Sequence, residues 1–132
     1  MTTEKESELE RVTRLRGFRY GLHDFLAELD VNALKAVNDN VEANYLNESS
    51  LLDRKTKELL IIIACVAQGD MVSHIQIHMH AAAKAGASPE EILEALNLVR
   101  NWVGIRGVIG LEAWRATFRP DIPTIDRVVE LR

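Results

Sequence analysis

The sequence predicts an all-α fold, and three observations carry that prediction. Only three prolines and seven glycines interrupt 132 residues. No segment shows the apolar–polar alternation of a half-buried strand. Apolar residues recur instead at spacings of three and four, the period of a helix face. The expected architecture is one domain, residues 1–132, built as a compact bundle of about six helices. Its core lies at about 50–118, with leading helices at 4–45 and a tail at 119–132.

From about Glu4 to Phe18 the chain is charged, with a thin apolar stripe of Leu9, Val12 and Leu15. This suits an exposed or partner-clasping helix. His23–Leu29 is a short second helix. Val31–Tyr45 is a third, with Leu34, Val37, Val41 and Tyr45 at helical spacing. Asn47, Glu48, Ser49 and Ser50 make a polar break. Asp53 is the expected cap of the next helix, Arg54–Gln68. Its nine-residue run Leu59–Ala67 is apolar on every side, so the helix is expected to be covered all round, inside the fold or between subunits. Gly69-Asp70 ends it.

Met71–Ala85 reads as a helix carrying three of the four histidines, closed by Gly86 at the position that favours a left-handed residue. Ser88-Pro89-Glu90-Glu91 is a strong helix start, with Ser as N-cap, Pro at N1 and Glu at N3. That helix runs through Ile92, Leu93, Leu96 and Val99 to about Val103. Gly104, Gly107 and Gly110 mark close packing or a loosened segment before a last helix, about Val108–Phe118. The tail from Arg119 to Pro123 reads as extended, and the sequence allows a short helix after Thr124.

Bulk properties exclude several classes. Net charge is −4, so no basic field points to nucleic acid. Aromatic residues make up 5%, too few for stacked-base recognition. The nine-residue apolar run is about half of a membrane span. Cys65 is the single cysteine, which rules out a disulfide framework within the chain and makes the cytoplasm the expected compartment. The segment MTTEKESELERVTRLR has no apolar stretch of the kind a secretory signal needs.

At 100° per residue Met71, Ile75, Met79 and Ala82 share one face, His74 and His78 lie one turn apart at its edge, and His80 points elsewhere. An i, i+4 histidine pair suits one metal ion or one substrate. On the preceding helix Glu58, Ile62 and Cys65 line one stripe. Antiparallel packing of the two helices would bring a carboxylate and two imidazoles into one pocket. If a metal is bound, His74, His78 and Glu58 are its expected ligands. Cys65 in an apolar run reads as an inert buried thiol.

The segments LDRKTKELLIIIACVAQGD (Leu52–Asp70), His78-x-x-Ala-Ala-x-x-x-Gly86 and Ser88-Pro-Glu-Glu-Ile-Leu-Glu-Ala-Leu96 resemble the carboxymuconolactone decarboxylase superfamily, which includes the alkylhydroperoxidase D type. The resemblance implies an all-helical subunit that assembles into a ring, a trimer or a hexamer of paired trimers. The peroxidase branch carries a Glu, a C-x-x-C pair and a His four residues after the second Cys. Glu58 and His78 match the outer members. The cysteine positions fall on Met71 and His74 counted back from His78, or on Asp70 and Ser73 counted forward from Glu58, so no thiol is present under either count.

The decarboxylase branch needs no cysteine and no cofactor. By that resemblance the function is removal of CO2 from a small unsaturated carboxylated lactone or related acid. His78 would be the acid/base, His74 would orient or assist it, and Glu58 would tune it. Arg100 and Arg106 are the candidates for clamping substrate carboxylates. The expected partners are a small carboxylated substrate and further copies of the chain, with no nucleic acid and no membrane. Three other readings stand beside this one: an alkylhydroperoxidase D-like peroxidase, a metal-dependent enzyme using His74 and His78, and a non-catalytic oligomeric binding protein.

Overall fold

In the computed structural model, which describes residues 1–47 and 50–132, the chain is helical and divides into two compact units, 1–53 and 54–132. Seven α-helices are present among the described residues, in keeping with the expected bundle of about six. Glu48 and Ser49 of the polar break lie outside the described residues.

The first unit holds α1 (Glu4–Arg16), α2 (Gly21–Leu29) and α3 (Val31–Asn40), the last passing into a single π-turn, Val41–Tyr45. Thr3 and Glu6 form a capping box at the start of α1, and Gly17 closes it at φ 76°. Val12, Ala27 and Leu34 form this unit's core, with Leu9 and Leu26 against it. Asn38 is fully buried there and donates from Nδ2 to the Glu8 carbonyl at 3.1 Å and the Glu8 carboxylate at 2.9 Å. Arg11 joins the same cluster, bonding Glu8, Asp39 and Glu42.

The second unit holds α4 (Arg54–Gln68), α5 (Val72–Lys84), α6 (Pro89–Val103) and α7 (Arg106–Phe118). Ile62, Cys65, Val66, Ile75, Met79, Ala82, Ile92, Leu96 and Ala113 make one core. Ser88 and Glu91 form the expected capping box on α6, with Pro89 in its first turn. Lys55 of α4 pairs with that same Glu91. Trp114 Nε1 donates to the Pro89 carbonyl at 2.8 Å, fixing α7 to the start of α6.

Two details differ from the sequence reading of these helices. Within the single chain the Leu59–Ala67 run is not covered all round, which leaves the expected cover between subunits untouched: Leu60 is 55% exposed and Ala64 and Ala67 are exposed, while Ile62, Cys65 and Val66 are buried. Helix α4 packs on α5, α6 and α7, and three neighbours on one side leave the opposite stripe bare. Met71 does not join the inward face of α5, because it precedes the first turn in extended conformation and its side chain is exposed.

The tail also departs from expectation. No helix forms after Thr124. Arg115 donates to the Ile122 carbonyl at 2.6 Å, and the Ile125 N–H donates to Glu112 at 3.1 Å. Beyond that tie Val128, Val129 and Leu131 are exposed, and so short a segment cannot offset the cost of nucleating a helix without packing. No helix among the described residues is long and apolar enough to cross a membrane.

Gly110 decides how closely α7 approaches its neighbours. A Cβ there would sit 2.8 Å from Val66 Cγ2 and 3.1 Å from Leu96 Cδ2. Gly110→Val therefore overpacks a core that has no room for it, and the expected cost is about 1–3 kcal/mol. Urea unfolding of the purified variant measures it; a midpoint equal to that of the parent would show that the close approach is not needed.

Candidate active site

The turn between α4 and α5 builds the site. Gly69 adopts φ 75°, a left-handed conformation that costs glycine little. The Gly69 N–H bonds the Val66 carbonyl at 3.1 Å and the Asp70 N–H bonds the Cys65 carbonyl at 3.0 Å. This pair of bonds is the Schellman pattern that satisfies the last carbonyls of a helix. It fixes Asp70 beside the end of α4 and starts α5 two residues later. The two helices then fold back on each other and bring residue 58 to residue 78.

Four polar side chains meet in a row. Glu58, fully buried, places Oε2 3.3 Å from His78 Nδ1. His78 Nε2 lies 3.3 Å from His74 Nε2. His74 Nδ1 lies 2.5 Å from Asp70 Oδ2. The two rings meet edge to face, centroids 4.8 Å apart and planes at 81°. The row therefore runs carboxylate, imidazole, imidazole, carboxylate. His78 is buried, and His74 and Asp70 are only partly covered, so solvent reaches the row from their end.

The hydrogen-bond directions follow from the partners. An ionised carboxylate accepts and cannot donate. Opposite the Asp70 carboxylate, Nδ1 of His74 is therefore the protonated nitrogen of its ring. The two Nε2 atoms, 3.3 Å apart, are close enough to share one hydrogen bond.

Burial acts against the Asp70 carboxylate, but hydrogen bonds from His74 and the Met71 N–H outweigh it, and its pKa lies below the usual carboxylate range. The Met71 N–H reaches Asp70 Oδ1 at 2.7 Å. Glu58 Oε1 accepts no hydrogen bond among the described residues, and Arg54 Nε is 3.9 Å away. Burial lowers the Arg54 guanidinium from its ordinary value, without bringing arginine near neutrality.

Sequence reasoning brought Glu58, His74 and His78 together, and the structure places them in contact. It did not find Asp70, read only as a helix terminator, although Asp70 stands four residues before His74, the spacing at which helical side chains meet. Nor did it find Arg54, one turn before Glu58. The proposed clamps stand elsewhere. Arg106 Nη1 donates to the Ala67 carbonyl at 2.8 Å and so caps α4. Arg100 is exposed, its stem along Gly107. Neither bonds the histidines or Glu58 among the described residues.

Cys65 is buried, and its thiol, His74 and His78 present ligand atoms all within 4.8 Å of one another. Glu58 instead addresses Nδ1 of His78, behind the ring. Burial and the Asp70 carboxylate push the Cys65 thiol up to about 12. At pH 8 only about one thiol in ten thousand is then ionised. Iodoacetamide is expected to modify Cys65 extremely slowly in the folded protein. The rate should climb about tenfold per pH unit, and denatured protein should react as an ordinary thiol with a pKa near 8.5. Mass spectrometry of the alkylated chain reads this directly; rapid labelling of folded protein at pH 8 would contradict it.

In comparison with known protein families, the chain matches the carboxymuconolactone decarboxylase family over residues 32–115. The match begins within α3, earlier than residue 50, where the resemblance was expected to start. Comparison with curated proteins and with solved structures finds no match. The family's pattern covers more than half of the chain, including Glu58, Cys65, Asp70, His74 and His78, and the single cysteine excludes a C-x-x-C pair. The chain belongs to the carboxymuconolactone decarboxylase family.

Proposed function

We propose that the protein is a cofactor-independent lyase that removes CO2 from a small unsaturated carboxylated lactone or a related acid. The observation that carries this reading is the row Glu58–His78–His74–Asp70, with His78 and His74 meeting Nε2 to Nε2 at 3.3 Å. In such a reaction the C–CO2 bond breaks and its electron pair moves into the conjugated system. A proton is then added at the far carbon, shifting the double bond. The step needs a proton donor held ready at a fixed point, and a proton shared by the two imidazoles would serve as that donor.

His78 delivers it, and His74, on the side open to solvent, restores it from water. Glu58 and Asp70 are positioning residues that fix which ring nitrogen carries hydrogen and compensate the positive charge. The substrate carboxylate needs a cation. Arg54, beside Glu58, is the first assignment; Arg100 and Arg106 come second, because Arg106 is engaged at the end of α4. A peroxidase reading loses support, since a lone thiol pushed up to about 12 supplies neither an attacking thiolate nor a resolving partner.

The test is turnover of 4-carboxymuconolactone followed by ultraviolet absorbance. His78→Ala is expected to lower kcat by about 10²–10⁴-fold with helical content unchanged by circular dichroism. Native protein that does not turn this lactone over would remove the substrate assignment; a fully active His78→Ala would remove the mechanism.

The same proposal includes self-association. Leu98 and Trp102 lie one turn apart on α6, and Ile105 follows just beyond its end; they are 73%, 86% and 79% exposed, apolar surface that water alone covers poorly. Leu60 on α4 adds to the apolar surface. Trp102→Glu should lower the mass measured by light scattering toward that of one chain. Native protein that is already monomeric would overturn this part.

A further inference from the structure

We propose that Cys65 Sγ, His74 Nε2 and His78 Nε2 form a binding site for a zinc-class divalent cation, with a fourth position open to water. The site uses the imidazole pair of the proposed function, but its existence does not depend on that reaction.

The first argument is distance. Zinc binds imidazole at about 2.0–2.1 Å, and a tetrahedral ion at that range separates two nitrogen ligands by about 3.3–3.4 Å. The two Nε2 atoms are 3.3 Å apart. A thiolate at about 2.3 Å from the same ion lies about 3.6 Å from each nitrogen. Cys65 Sγ and one nitrogen of each ring already lie within 4.8 Å of one another, so a short adjustment of the side chains completes the set.

The second argument is what stands behind each ring. Metal-bound histidines commonly donate their other N–H to a carboxylate, which fixes the tautomer and makes the ligand more basic. Both histidines have that arrangement here, Glu58 behind His78 and Asp70 behind His74. A single carboxylate-backed histidine is common in folds for other reasons. Two such rings with their Nε2 atoms 3.3 Å apart beside a thiol form a nearly complete set of metal ligands.

The donor set also selects the ion. One thiolate and two neutral imidazoles favour zinc and its neighbours over magnesium or calcium, which take oxygen ligands. Binding ionises Cys65, whose proton leaves to solvent. The ion occupies both Nε2 atoms, so on the proposed mechanism, which needs His78 Nε2 for the substrate, one equivalent of zinc switches the lyase off. Glu58 was the third ligand expected from sequence. Its carboxylate faces Nδ1, so it supports the set from outside.

Cobalt(II), a spectroscopic stand-in for zinc, tests the site without any substrate. Untagged protein stripped with a chelator should bind one equivalent per chain. The spectrum should show the strong visible absorption of four-coordinate cobalt and a thiolate-to-cobalt charge-transfer band in the near ultraviolet, and zinc should abolish both. Cys65→Ser should lose the charge-transfer band and bind at least tenfold more weakly. Asp70→Asn should keep both bands while weakening binding by about 10–100-fold. His80→Ala, altering an exposed ring outside the set, should change nothing.

If Cys65→Ser does not fold, His74→Ala at the partly exposed ring asks the same question and should lose the four-coordinate spectrum. Cobalt binding without a thiolate band in the native protein would overturn the proposal, as would an unchanged spectrum in Cys65→Ser. Turnover that depends on His78 in a protein that binds no cobalt would overturn the metal site alone. A cobalt spectrum in a protein inactive on the lactone would support the site and remove only the reaction.

Discussion

The hydrogen bond from the Asp70 N–H to the Cys65 carbonyl holds the rest of the site in register. It closes α4 and turns the chain at Gly69, and it sets Asp70 where His74 can reach it one helical turn later. Every polar contact in the row follows from that reversal. Arg106 reinforces it from α7 by capping the Ala67 carbonyl and lying over Gly69, where a Cβ would meet Arg106 Nε at 3.2 Å. An arginine that resembled a substrate clamp in the sequence is in the structure part of the frame.

Glu58 is the costly element. A carboxylate with no exposure loses its hydration, and burial of this kind is tolerated only with compensating partners. His78 compensates one oxygen, and Arg54 stands 3.9 Å from the other. An acid kept in the core under these terms stabilises the fold less than an apolar residue of similar volume would. Glu58 Oε2 stands 3.3 Å from His78 Nδ1, and the proposed function gives that contact a purpose: to orient the ring. Asp70 does the same for His74 at the solvent end. The row is symmetric, with acids outside and imidazoles inside.

Much of this was legible in the sequence because local rules act within a few residues. Ser88, Pro89 and Glu91 announced the start of α6, and Gly69 and Gly86 marked helix ends through their left-handed turns. Helical spacing placed Glu58 with Ile62 and Cys65, and His74 one turn from His78. What escaped depended on three-dimensional neighbours. The apolar run of α4 reads the same all round, and only the placement of α5, α6 and α7 decides that Leu60 stays outside. Asp70 has a sufficient local role as a turn residue, which hid its second role toward His74. Cys65 has the sequence of a core thiol; its closeness to two imidazoles appears only when α5 folds back. The missing helix after Thr124 reflects ties to Glu112 and Arg115 that no local pattern encodes.

The site residues lie close together along the chain, from Glu58 to His78, on two consecutive helices and the turn between them. Groups so near in sequence meet at a small loop-closure cost, and contacts of low sequence separation are the ones that form early in folding. The polar row is thus the property of one helical hairpin, with α6 and α7 acting as its support. Such a hairpin can keep its chemistry while the flanking helices diverge in sequence, length or surface. In evolution or in design, it behaves as a single transferable cassette.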